Sequence, residues 1–218
     1  MMFEQHYINW RISRMNAIKK YISPDYFKSK TLLELGCGHA DVGNMFHELG
    51  AIVTSSDARK EHIEYAKFKY PHINTLLIDC DNDNINEKYD IIVHWGLLYH
   101  LAEIEIHLEK LSQKCDILLL ETEVSDSDDK EFSLPTTEFT YYDHAFNNKG
   151  IYPSPYYVED ILVKNGFNFK LIKDPILNTD FHCYDWDIQN TKTRICGYSR
   201  FWICWKNINS PLVELSDS

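Results

Sequence analysis

The pattern of apolar and polar positions divides the chain into three parts. Over residues 6–22 most apolar side chains are three or four positions apart, which predicts one amphipathic helix. Ser23-Pro24-Asp25 ends that helix, and we expect residues 1–28 to form a helical cover. Short apolar runs then alternate with helical stretches up to Glu121, after which the alternation stops. The middle part therefore carries the main fold signal.

That middle part predicts five strands joined by helices of about ten residues. The strands fall at 31–35, 51–55, 74–78, 89–94 and 115–121. The helices between them fall at 41–49, 59–70 and 101–112. Residues 91–93 and 117–120 are continuous apolar runs, as strands covered on both faces require. Strands alternating with helices imply βαβ crossovers, so we expect an α/β fold with a doubly wound, mostly parallel sheet.

Beyond Glu121 the chain has a different character. Six acidic residues between Glu121 and Glu131 predict a solvated loop. Residues 122–155 show no clear periodicity, and a long irregular segment in a compact domain is usually functional. We therefore expect a lid-like insertion there. Ser154 and Pro155 begin a further helix, and alternating residues at 167–173 and 198–206 predict two late, antiparallel strands.

Composition narrows the classes of function. The 218 residues suit a single domain, and 22 basic against 33 acidic side chains give a net charge of −11. Such a charge disfavours nucleic acid and anionic membrane surfaces as partners. No apolar run approaches the roughly 20 residues that span a bilayer, and the N-terminus lacks signal-peptide character. Six cysteines without C-x-x-C spacing predict reduced thiols, a cytoplasmic location and no metal site.

Candidate chemistry lies where the first three strands end. The first strand ends in Glu34-Leu35-Gly36-Cys37-Gly38, and glycines there allow a tight turn and close approach of a ligand. Asp57 follows the second strand, where a carboxylate can accept both ribose hydroxyls, although it can also cap the next helix. Asp79 follows the third strand and either reads an adenine edge or opens a loop. Ligands of open α/β sheets bind at this edge.

With these motifs the chain resembles the class I S-adenosylmethionine-dependent methyltransferases from about residue 31 to 206. Glu34 to Gly38 is similar to their first motif, and Tyr89 to Leu101 is similar to their fourth-strand motif. Ala40 replaces the usual third glycine, so slightly altered cofactor contacts are expected. The resemblance implies a seven-stranded sheet and S-adenosylmethionine as cofactor. It implies these cofactor-binding residues: Arg14, Glu34, Gly36, Cys37, Gly38, Asp57, Ala58, Arg59, Asp79, Cys80, His94, Trp95 and Gly96.

Methyl transfer needs alignment of the reacting atoms and, for some acceptors, a base. His100 follows the fourth strand, where a base would face the acceptor, although it can also cap a helix. Tyr142 and His144 lie in the insertion and either contact the acceptor or pack the loop. His62 and His107 are expected at the surface.

The expected activity is transfer of a methyl group to an oxygen or nitrogen of a small molecule or sugar. Two alternatives stay open. The Gly96-Leu97-Leu98-Tyr99-His100 turn also resembles that of enzymes that modify wobble uridine in tRNA. A non-catalytic protein that binds S-adenosylmethionine would share the same motifs.

Overall fold

A computed structural model describes residues 5–139, 141–179, 184, 186–192 and 198–213. Its α-helices are α1 (Gln5–Tyr21), α2 (Asp41–Glu48), α3 (Lys60–Lys69), α4 (Ile104–Ser112) and α5 (Pro155–Lys164). Its strands are β1 (Thr31–Leu35), β2 (Ile52–Asp57), β3 (Asn74–Leu77), β4 (Tyr89–Trp95), β5 (Cys115–Glu123), β6 (Ser133–Thr137), β7 (Lys149–Pro153), β8 (Asn168–Leu171) and β9 (Ser199–Trp205).

Seven of these strands form one sheet in the order β3-β2-β1-β4-β5-β9-β8. The first five strands are parallel, and β9 runs antiparallel to both β5 and β8. The strand order reverses direction beside β1, which makes the sheet doubly wound. The predicted fold, including the two antiparallel late strands, is confirmed.

Alternating side chains of the central strands supply two cores, one on each face of the sheet. In β5, Ile117 and Leu119 join the cluster that contains residues of α1 and α2. Leu118 and Leu120 join the cluster that contains residues of α4 and α5. All four side chains are at most 1% exposed, and burial of each contributes about 1.5–3 kcal/mol. This two-sided burial explains the continuous apolar runs in the sequence.

The segment after β5 differs from the solvated loop that its acidic residues predict. Asp126 is fully buried, and its carboxylate accepts hydrogen bonds from the backbone N–H groups of Gln189 at 2.8 Å and Thr191 at 3.1 Å. The expectation of a solvated loop is therefore wrong here, because backbone donors from a distant segment satisfy the acid. The insertion also contains regular structure: β6 and β7 form an antiparallel hairpin.

Buried polar residues correct two further expectations. His62 and His107 are 2% and 6% exposed, so neither lies at the surface.

Cys37, Cys80, Cys115 and Cys204 are free thiols, whereas Cys183, Cys196 and His182 lie outside the described residues. In the part of the chain that the structure describes, no helix combines the length and hydropathy of a membrane-spanning segment.

Candidate functional site

The turn after β1 has the backbone that its glycines predict. Gly36 and Gly38 have φ values of +63° and +52°, in the left-handed region that favours glycine. A Cβ on Gly36 would also meet the Leu97 side chain at 3.2 Å. Ala40, at the position of the third glycine of the motif, has φ +62° and precedes α2. Alanine therefore adopts the glycine-like conformation there instead of changing the course of the chain.

A cavity opens at this edge of the sheet, where parallel strands end. All the predicted site residues except Arg14 and His94 line it. They are Glu34, Gly36, Cys37, Gly38, Asp57, Ala58, Arg59, Asp79, Cys80, Trp95, Gly96, His100, Tyr142 and His144. The fold thus brings together residues from four strand ends and from the insertion.

Arg14 lies away from the cavity, which corrects its assignment as a cofactor-binding residue. Its side chain is fully buried, and its guanidinium donates to Glu121 Oε1 at 3.2 Å and to the Tyr184 hydroxyl at 2.8 Å. A buried guanidinium needs such partners, because an unpaired charge in the interior is very costly. Arg11, three positions earlier on α1, lines the cavity and pairs with Asp41 at 3.4 Å.

His94 also faces away from the cavity. Successive side chains of a strand point to opposite faces, so Val93 and Trp95 line the cavity while His94 points to α4. There its Nε2 lies 2.9 Å from Nε2 of His107. Burial, together with His107, holds the pKa of His94 well below its ordinary value. The expectation that His94 lines the pocket is wrong for this reason.

Glu34 is a buried carboxyl group on the cavity wall. Its Oε2 accepts a hydrogen bond from the Ser55 hydroxyl at 2.5 Å, and it also bonds the backbone of Gly43. Gly43 is required there, since a Cβ would lie 2.5 Å from Glu34 Oε2. Burial raises the pKa of Glu34 to about 8 despite these two hydrogen bonds. The side chain is therefore mostly neutral near pH 7 in the structure described.

Asp57 connects the end of β2 to the glycine turn. Its Oδ2 accepts from the Gly38 N–H at 2.9 Å, and its Oδ1 accepts from the Arg59 N–H at 2.9 Å. His62 Nδ1 lies 3.1 Å from the same Oδ1. Asp57 thus fixes the turn and faces the cavity, whereas the N-cap of α3 is Arg59 and no side chain of the described residues caps that helix, so the capping interpretation of Asp57 is wrong.

His100 and Glu138 form a hydrogen-bonded pair at the cavity. His100 Nδ1 lies 2.7 Å and 2.9 Å from the two carboxylate oxygens of Glu138, and the Ala145 N–H donates to Glu138 at 2.8 Å. Burial acts to raise the pKa of Glu138, but the bonds from His100 and Ala145 outweigh it and the pKa is lowered. An ionised carboxylate only accepts hydrogen bonds, so Nδ1 of His100 carries a proton, and in the neutral imidazole Nε2 is then the acceptor.

The loop between β6 and β7 covers the cavity. We call its residues 141–148 the roof segment. Arg59 donates to the carbonyl oxygens of Tyr141 at 3.1 Å and His144 at 2.8 Å. Asn147 donates to Asp79 at 3.3 Å and to Asp81 at 3.1 Å. The Tyr7 hydroxyl of α1 also donates to Asp143, at 3.3 Å.

Several residues of this site carried no signal in the sequence. Glu138 lies 38 positions from His100 and meets it only because the β6–β7 hairpin folds over the sheet edge. Tyr7, Asp81, Tyr99 and Phe146 line the cavity from elements that surround the strand ends. For Arg11 a signal existed: it lies three positions from Arg14, so the helix rotation alone decides which guanidinium reaches the cavity.

Comparisons with known proteins agree with this architecture. No family profile matches the chain. It is 35% identical over 73 residues to a protein of Invertebrate iridescent virus 6 that is named as methyltransferase 235L. This match covers 32% of the chain and 27% of the relative. It is 29% identical over 130 residues to the ubiquinone biosynthesis O-methyltransferase of Pelagibacter ubique strain HTCC1062, covering 52% of the chain and 54% of the relative. These matches thus span about a quarter and about half of the relatives' lengths.

Among solved structures, the N-terminal domain of EvdMO1 superposes with a TM-score of 0.65. That domain was crystallised with SAH (S-adenosylhomocysteine, which is S-adenosylmethionine without the transferred methyl group) bound. That match covers 90% of this chain and 79% of the other, at 13% sequence identity. The chain therefore has the fold of the S-adenosylmethionine-dependent methyltransferases, and the predicted fold resemblance is confirmed.

Proposed function

We propose that this chain is an S-adenosylmethionine-dependent methyltransferase that acts on an oxygen or nitrogen of a small acceptor. One observation carries the proposal: the Gly36–Gly38 turn, Asp57 and Asp79 line one cavity that also contains His100. Relatives named methyltransferases, and a structural neighbour crystallised with SAH, support the same activity.

The residues of the cavity fit the cofactor by their chemistry. Asp57 and Asp79 supply carboxylates for the ribose hydroxyls and the adenine amino group. Trp95 Nε1 is buried and has no hydrogen-bond partner among the described residues, so it offers a donor to the methionine carboxylate. Arg11, which lines the cavity, replaces Arg14 as the candidate arginine of α1 for a cofactor contact. When bound, S-adenosylmethionine supplies a methyl group on a positively charged sulfur.

His100 would act as the base for the acceptor. Glu138 holds the Nδ1–H, which leaves the Nε2 lone pair to receive a proton from an acceptor hydroxyl or ammonium group. Glu138 also stabilises the imidazolium that forms. The hydrogen bond to Glu138 thereby fixes both the tautomer and the ring orientation of His100, neither of which is fixed in free histidine. Tyr142 and His144 complete the wall beside it.

The cavity favours an acceptor without negative charge. Asp79, Asp81 and Asp143 line it, and Glu138 lies directly behind His100. Among the described residues the two lining guanidinium groups are engaged, Arg11 with Asp41 and Arg59 with backbone carbonyls. An anionic acceptor would meet repulsion with no compensating ion pair. The roof segment also limits its size, which supports a small molecule over a nucleic acid.

Two experiments test the proposal. SAH binding is measured by calorimetry, and methyl transfer is measured as SAH formed from S-adenosylmethionine with matched aromatic acceptors, catechol, dopamine and 3,4-dihydroxybenzoate. We expect SAH binding, and transfer to the uncharged or cationic acceptors in preference to the carboxylate. His100→Asn should lower turnover by roughly 100-fold or more, the scale of general-base catalysis, while SAH affinity stays the same. Absence of SAH binding by the wild type would refute the proposal; binding without any transfer would favour the non-catalytic alternative.

A further inference from the structure

The Arg59 side chain binds the roof segment with its guanidinium group, and this arrangement differs from that of a cofactor ligand. One nitrogen, Nη2, donates to the Tyr141 carbonyl at 3.1 Å and to the His144 carbonyl at 2.8 Å. The guanidinium also lies 5.6 Å from the ring centroid of Phe146. Its own backbone N–H is bonded to Asp57. Arg59 thus joins the end of β2 directly to the loop above the cavity.

A second attachment fixes the same segment to the end of β3. Asn147 lies three positions after His144, and its amide donates to both Asp79 oxygens at 3.3 Å and to Asp81 at 3.1 Å. Both attachments therefore use residues that flank the proposed nucleoside site. With them in place, the roof segment covers the nucleoside end of the cavity and holds Tyr142 and His144 on its wall.

We infer that Arg59 is a positioning residue that fastens the roof segment over the nucleoside end, so that cofactor exchange requires release of this fastening. The inference rests on the proposed function, since the exchanged molecule is the cofactor or its product. Arg59 acts on the acceptor wall through the two carbonyls, and the two N–H groups of Nη2 are held in the guanidinium plane, whereas the donors of a lysine ammonium rotate at the end of a flexible stem.

The two possible roles of Arg59 predict different kinetics. If Arg59 binds the cofactor, its removal increases the dissociation rate alone and weakens affinity by the same factor. If Arg59 fastens the roof, its removal raises the open population, so the association and dissociation rates both increase while the Kd changes little.

Stopped-flow measurement of SAH binding by tryptophan fluorescence, to which Trp10 and Trp95 on the cavity wall contribute, separates these cases. For Arg59→Ala we expect both rate constants to increase about tenfold, the scale of losing one hydrogen bond to a charged group, and the Kd to stay within about twofold. Arg59→Lys should restore part of the change. Lys60→Ala, which removes an exposed side chain paired with Glu64, is the matched control and should leave both rates unchanged.

Asn147→Ala provides an independent variant, because Asn147 is exposed and its loss leaves the base of α3 intact. It should reproduce the increase in both rates, and hydrogen exchange of the amides in the roof segment should become faster in either variant. If the wild type binds SAH normally and both variants keep the wild-type rate constants for SAH association and dissociation, this inference is overturned and the proposed function stands. An increase confined to dissociation would also overturn it, in favour of direct cofactor contact.

Discussion

Glu34 offers the clearest quantitative test of the site, because its carboxyl group is buried without an ion pair to a described residue. The proposed perturbation is Glu34→Gln, which keeps the size and hydrogen-bonding capacity of the side chain but removes its titration. Burial raises the pKa of Glu34 from 4.5 to about 8. At 1.36 kcal/mol per pKa unit, this interval corresponds to about 5 kcal/mol.

The sign follows from proton linkage. A carboxyl with a higher pKa in the folded state keeps its proton on folding, so the folded protein binds more protons than the unfolded chain between pH 4.5 and about 8. The free energy of unfolding therefore falls as pH rises through that window. Below pH 4.5 both states are protonated and Glu34 imposes no cost, while above pH 8 the whole cost of about 5 kcal/mol is present.

Urea denaturation at pH 4.5, 6, 7 and 8 measures the effect. Because Glu123 and the buried histidines also titrate, the informative quantity is the difference in unfolding free energy between Glu34→Gln and the wild type. We expect that difference to grow in favour of the variant as pH rises, reaching about 5 kcal/mol at pH 8. Glu48→Gln, at an exposed position of α2, is the control and should show no such trend. Parallel pH profiles for the wild type and Glu34→Gln would refute the reasoning.

Three further substitutions test other parts of the site. Asp57→Ala should weaken SAH binding by roughly 1.5–3 kcal/mol, the scale of a hydrogen bond to a charged group, and unchanged affinity by calorimetry would remove the ribose role. Gly43→Ala should destabilise the fold by roughly 1–3 kcal/mol, because its Cβ has no room beside Glu34 and Ser55; an unchanged Tm would contradict this. Arg14→Met should lower the free energy of unfolding by about 3–5 kcal/mol, since it leaves the buried Glu121 carboxylate without its cationic partner. A loss of SAH affinity without loss of stability would indicate instead that Arg14 binds the cofactor.

The features that the sequence predicted correctly are local ones. The glycine turn, the alternation of strands and helices, and the acids at the strand ends each depend on a few neighbouring residues. Parallel strands then place all those ends at one edge, whatever the details of packing. For this reason Glu34, Asp57 and Asp79 could be placed together before the structure was known.

The features that were missed depend on rotation and on long-range pairing. Arg14 and Arg11 both lie on α1, and only packing of that helix decides that Arg14 meets Glu121, 107 positions away. The prediction for His94 is wrong because side chains alternate along a strand, so a shift of one position exchanges the two faces of the sheet. Glu138 requires the β6–β7 hairpin, whose strands show no clear alternation in the sequence.

Two polar groups of the cavity are buried without a full set of polar partners among the described residues, which costs free energy, and both indicate the same kind of ligand. Glu34 is a carboxyl group that burial keeps neutral, so a cation beside it would favour its ionised form. Trp95 Nε1 is a buried donor without an acceptor among the described residues, so an anionic oxygen would satisfy it. An amino acid zwitterion supplies both charges, and the methionine part of the proposed cofactor is such a group. Binding to the native state at a hundred times the Kd contributes about 2.7 kcal/mol, which offsets a large part of the cost of burying Glu34 near neutral pH. SAH binding near pH 7 should then release a proton, so its calorimetric enthalpy should vary with the ionisation enthalpy of the buffer in the wild type and much less in Glu34→Gln. Equal buffer dependence in both proteins would separate Glu34 from the cofactor site.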